Sequence, residues 1–160
     1  MNKLLTLLAL LVAIPLHAGN VSVKEFGAKG DGVTLDTEAI QAAIEHVAEQ
    51  GGGTVCVPAG TYMCGSIWLR SHIELKLSAG AVIKGSPNMG DYCDADCCPQ
   101  NEAEIGFGDY ISGGHLILAV DVQDVTLSGP GRIDGNSKAF MLDSEGKNYA
   151  KKSLIPARPS

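Results

Sequence analysis

Three stretches decide the fold: TVCVPAGTYMCG (Thr54–Gly65), ELKLSAGAVIKG (Glu74–Gly85) and DVTLSGPGRIDG (Asp124–Gly135). Written under one another without gaps, they place Val55 and Val57 over Leu75 and Leu77, then over Val125 and Leu127. Met63 falls on Ile83 and Ile133, and Gly65, Gly85 and Gly135 coincide. The offsets are 20 and then 50 residues. Within each stretch aliphatics alternate with Lys, Glu, Thr, Arg or Asp, the period of a strand with one face turned inward. Such a unit reads strand, tight turn, strand. It cannot bury its apolar face alone, whereas stacked units can. No helix long enough for a crossover separates the strands. The sequence predicts an all-β fold, a single-stranded parallel β-helix. An antiparallel sandwich of short strands is the alternative, but hairpins do not require so regular a repeat.

Upstream, FGAKGDGVTLDTEAIQAAIEHV (Phe26–Val47) sets glycines, a lysine and carboxylates before a helical pattern. A phosphate loop needs its lysine after the last glycine and directly before the helix. Here Lys29 precedes Gly30 and Gly32, and Val33-Thr34-Leu35 intervenes. A calcium loop needs oxygens at alternate positions and a terminal Glu, which Asp31 and Asp36 do not supply. The helical reading is stronger. Ile40, Ala43, Ile44, Val47 and Ala48 form one face of a helix over residues 37–50. Asp36 stands where an N-cap would, Leu35 and Ile40 have staple spacing, and Gly51 suits the left-handed position after the last turn. The first rung of a solenoid exposes strand edges and an open core, which an amphipathic helix can cover. The loop is therefore expected to position a cap, and Lys29 and Asp31 to bind neither phosphate nor metal.

The segment Ser86–Gly114 reads as a long excursion from the solenoid that could contain part of another turn, with HLILAV (His115–Val120) a strand on return. His115 fits a strand-edge histidine better than a ligand or base. Cys56, Cys64, Cys93, Cys97 and Cys98 are odd in number, so at least one stays free or pairs between chains. Cys93 and Cys97 lack a distant Cys or His pair at zinc spacing, and no metal is expected.

Residues 1–18 read as a secretory signal. Lys3 precedes the apolar run Leu4–Leu16, which is short for a membrane span, and Ala18 could precede the cut. Residues 19–160 would then be the exported domain, with no stable membrane anchor after cleavage. A composition of 45% apolar and 19% charged residues excludes a disordered chain. A net charge of −6, with basic residues clustered only at Lys147, Lys151, Lys152 and Arg158, excludes a nucleic-acid footprint.

Together FGAKGDGVTLDTEAIQAAI, GGGTVCVPAGTY, IELKLSAGAVIKG and LSGPGRIDG resemble the start of polygalacturonase-type enzymes, glycoside hydrolase family 28, within the pectate-lyase-like superfamily. The resemblance runs from Val23 to Phe140. It implies a right-handed parallel β-helix, secreted or periplasmic, with pectin, polygalacturonate or rhamnogalacturonan as polysaccharide partner. It implies inverting hydrolysis, in which a carboxylic acid protonates the leaving oxygen and carboxylates opposite activate water. The family supplies these groups from an Asn-Thr-Asp motif, an Asp-Asp pair, a Gly-His-Gly motif and an Arg-Ile-Lys motif. None is present. Gly114-His115 is followed by Leu116, and Arg132-Ile133 by Asp134 where Lys is wanted. No catalytic, cofactor-binding or metal residue is assigned. The stretch is expected to be the N-terminal part of a longer enzyme and inactive alone. Glu74 and Asp124 share a column of the repeat but open their strands, and Asp134 shares one with Cys64 and Lys84. Lys76, Lys84 and Arg132 are too few to define a cleft for a polyanion. A lyase- or epimerase-like relative and a non-catalytic carbohydrate-binding solenoid remain alternatives on the same fold.

Overall fold

A computed structural model describes residues 19–93 and 115–140. The alternating stretches become strands as the pattern requires. They are β3 (Gly53–Val57) and β4 (Gly60–Cys64), β6 (Ile73–Leu77) and β7 (Ala81–Gly85), and β9 (Thr126–Ser128) and β10 (Arg132–Asp134). Two short strands, β5 (Ile67–Trp68) and β8 (Ile117–Leu118), form a third side. Two more precede the helix, β1 (Gly19–Ser22) and β2 (Asp31–Leu35). Every ladder is parallel. One sheet runs β1-β3-β6-β9, a second β10-β7-β4-β2, and a third β5-β8. The chain winds from sheet to sheet, each rung stacked on the last, as a right-handed parallel β-helix.

Helix α1 (Thr37–Glu49) takes the place of a strand on the third side of the first rung. Its apolar face buries Ile40, Ala43, Ile44 and Val47 in one core with Val55, Tyr62 and Leu75. Burying each of the larger aliphatics contributes about 1.5–3 kcal/mol. Gln41 does a strand's hydrogen bonding: its Nε2 donates to the Trp68 carbonyl at 3.1 Å and its Oε1 accepts from the Trp68 N–H at 2.9 Å. The open edge of β5 is thereby paired. The helix ends in a Schellman turn. Gly51, at φ 95°, sends its N–H to the Ala48 carbonyl, and the Gly52 N–H reaches Val47.

Four details depart from the sequence reading. The loop before the helix is not only a loop, because Asp31–Leu35 pairs with β4 and Gly19–Ser22 with β3. The rung therefore starts before its cap. Leu35 belongs to β2 and is 45% exposed, whereas Ile40 is fully buried. Asp36 makes no side-chain bond to the helix; it faces back into the loop.

Register is the fourth. Thr54 pairs Glu74 and Val57 pairs Leu77, at the expected offset of 20. Only two residues then separate β3 from β4, against three between β6 and β7. Tyr62, not Met63, consequently pairs Ile83 and enters the core, and Gly85 pairs Cys64 rather than Gly65. A slip of one residue exchanges the faces of a strand. In the last rung Leu127 pairs Leu75, and Glu74 faces Thr126 rather than Asp124, whereas Ile133 keeps its expected partner Ile83. Asp134 accordingly stands beside Lys84 and, one rung back, Met63 instead of Cys64.

Candidate functional site

An open cleft of about 500 Å³ lies where the strands of the first sheet begin. Gly51, Gly52 and Gly53 form one wall; Thr54, Glu74 and Thr126 line the strands, and His72 and Asp124 stand at the corner. The chain turns here through left-handed backbone at Gly52, His72 and Asp124, at φ 113°, 62° and 56°. The turns stack: the Gly53 N–H donates to the His72 carbonyl and the His72 N–H to the Gln123 carbonyl, both at 2.9 Å. A side chain at Gly52 would strike the His72 carbonyl. His72 Nδ1 lies 3.1 Å from Asp124 Oδ2 and joins the third and fourth rungs.

Glu74 is the central carboxylate. Thr54 Oγ1 donates to its Oε2 at 2.8 Å and Ser128 Oγ to its Oε1 at 2.6 Å. The Ser128 bond, then the Thr54 bond, hold its carboxyl below the usual range, helped weakly by Lys76 and opposed by partial desolvation. A carboxylate stabilised in its charged form is a poor general acid. Both oxygens are engaged by neighbouring strands, so Glu74 laces three rungs together.

The Phe26–Asp36 loop is equally self-contained. The buried Asp36 carboxylate accepts the Lys29 N–H at 2.6 Å and the Gly30 N–H at 2.9 Å. Asp31 accepts from Val33 N–H, Thr34 N–H and Thr34 Oγ1 at 2.9, 2.7 and 2.7 Å. The Thr34 and Val33 amides, with the Thr34 hydroxyl, lower the Asp31 carboxyl to about 2. Both carboxylates hold the backbone of their own loop.

The remaining sequence candidates stay apart. The His115 carbonyl is tied to the Ser66 hydroxyl. Cys64 is buried and free, and burial, with the Asp36 charge behind it, pushes its thiol up to about 12. Cys56 and Cys93 are free and half-exposed; Cys97, Cys98, the basic cluster 147–158 and the signal 1–18 lie outside the described residues. Among the described residues no three His, Cys, Asp or Glu side chains gather as metal ligands. The groups the sequence reading missed are Gln41 and Ser66, polar residues whose partners are remote in sequence.

The model of a family described as rhamnogalacturonase A/epimerase, pectate lyase-like, matches residues 20–115. An exo-poly-alpha-D-galacturonosidase from Dickeya chrysanthemi is 36% identical over 133 residues, covering 78% of this chain and 21% of the relative. The solved family 28 exopolygalacturonase of Yersinia enterocolitica superimposes with a TM-score of 0.59 at 35% identity, over 79% of this chain and 23% of that one. Alginate lyase 7 of Azotobacter vinelandii is 63% identical over 41 residues, 26% of this chain and 5% of the lyase. The chain thus spans about a fifth of its galacturonosidase relative.

Proposed function

The chain belongs to the rhamnogalacturonase A/epimerase, pectate lyase-like family, and from that premise we propose that it forms the capped N-terminal rungs of a secreted, polygalacturonase-like glycosidase. Likeness to the Dickeya galacturonosidase over 78% of the chain carries the reading. The alginate lyase match covers only 26% of it. The reaction is inverting hydrolysis of galacturonan-type linkages, with catalytic carboxylates supplied by residues outside this stretch. The contribution of these rungs is a closed, rigid end on which later rungs hold such groups in register.

The test is a chimera in which residues 19–135 replace the matching rungs of the Dickeya enzyme. Release of reducing ends from polygalacturonate at a rate near the parent's supports the reading. A soluble, folded chimera without activity overturns it. The second reading, a lyase or epimerase relative, rests on the 63% identity over 41 residues. Eliminative cleavage leaves an unsaturated uronate, so ultraviolet absorbance of the products would favour a lyase, and inversion at C5 without it an epimerase.

A further inference from the structure

The corner after the second sheet is turned in two very different ways. In one rung β4 passes to β5 through Gly65 and Ser66 alone. In the next, β7 ends at Gly85 and the next described strand, β8, begins at Ile117. Yet the described parts of that second connection converge on one atom. The Cys93 N–H donates to Ser66 Oγ at 2.9 Å, and Ser66 Oγ donates to the His115 carbonyl at 2.6 Å. Ser66 is 8% exposed. Beyond it the rung resumes at once: the Ile67 N–H reaches the Leu116 carbonyl at 2.9 Å, and the Leu69 N–H reaches Leu118 at 2.8 Å. On the outgoing side the Ser86 N–H bonds the Cys64 carbonyl at 2.7 Å, and Tyr92 Oη donates to the Ser86 carbonyl at 2.9 Å.

We infer that Ser66 is a clasp at the base of an insertion, and that the rung closes through Cys93, Ser66 and His115 without residues 94–114. Two residues bonded to one hydroxyl lie within a few ångströms of each other, a gap that a short turn spans. The preceding rung shows that this corner needs only two residues. Ser66 is a positioning residue: it determines where the insertion leaves and rejoins the solenoid. The inserted sequence holds Asp94, Asp96, Glu102, Glu104 and Asp109 and no Lys or Arg, and so most of the chain's charge of −6. Clasped in this way, a strongly acidic segment can change in length and charge without altering the stack.

Two measurements on the full chain test this. Proteolytic nicking within 94–114 should leave the two fragments associated, with an unshifted thermal midpoint. Dissociation or loss of the transition on nicking overturns the inference. Ser66→Ala leaves the Cys93 N–H and His115 carbonyl without that partner. Amide exchange at Cys93 should accelerate roughly tenfold, while exchange at Val55 and Leu75 in the core stays the same. Unchanged exchange at Cys93, or equal acceleration everywhere, shows that Ser66 is no clasp. Replacing 94–114 by a short Gly-Ser linker should preserve the native transition; an unfolded product shows that the insertion is part of the rung.

Discussion

Asp31 and Asp36 are five residues apart and differ in what surrounds them. Asp36 is buried and satisfies two loop amides; Asp31 is exposed and satisfies two amides and a hydroxyl of its own turn. Because the Asp31 pKa is lowered to about 2, the native state prefers its charged form. That contribution is fully present above the unfolded value of about 3.9 and is lost as pH falls toward 2. Asp31→Ala should therefore lie below wild type in denaturant midpoint at neutral pH and converge with it near pH ~2. A gap that persists in acid would refute the assignment. Cys64 has the opposite sign. An unfolded thiol ionises near ~8.5, while the native one holds its proton to about 12. Stability should fall as pH rises through that window, and less so in Cys64→Ala. In native protein, iodoacetamide should label Cys56 and Cys93 but leave the Cys64 peptide unmodified until unfolding; labelling of Cys64 at the rate of Cys56 would contradict its burial.

At the scale of elements, α1 does two jobs with two faces. Its apolar face closes the core, and Gln41 pairs the edge of β5. Ile44→Asp places an unpaired charge among buried aliphatics and should cost roughly 4 kcal/mol or more. An unchanged melting curve would remove the capping role. Gln41→Ala loses two half-buried hydrogen bonds and should cost about 1–2 kcal/mol. It should also raise amide exchange at Trp68, while Ile67, bonded to Leu116 on the other side, is spared. Arg70 Nη2 lies 3.2 Å from Glu45 Oε1, but both are exposed and the pair adds little.

At the scale of the whole molecule, the two ends of the described solenoid differ. The first is closed by the helix. At the last described rung Leu127 and Ile133 are 47% and 44% exposed, although their counterparts Leu75 and Ile83 are fully buried. Residues 1–160 alone should release no reducing ends from polygalacturonate. Inverting carboxylates stand about 6.5–9.5 Å apart with a water between them, whereas Glu74 is bonded through both oxygens and Asp124 is paired with His72. Turnover comparable to that of the Dickeya relative would place the chemistry in these rungs after all.

The period-two pattern, the glycine-ended units and the helical face of residues 37–50 determined the architecture on their own, because alternation and helical spacing are local properties of a chain. Register was legible only while the turns kept their length. One residue fewer after Val57 carried Tyr62 into the core in place of Met63, and no count of apolar residues favours a tyrosine there. The partners of Asp36, Gln41 and Ser66 were invisible for a related reason. A carboxylate at an N-cap position can turn toward the helix or away from it, and an amide or hydroxyl bonds whichever backbone group the stack brings within reach. Gln41 meets Trp68 across 27 residues and Ser66 meets His115 across 49. Only winding the chain into rungs makes them neighbours, so tertiary structure alone decided which polar residues hold the solenoid together.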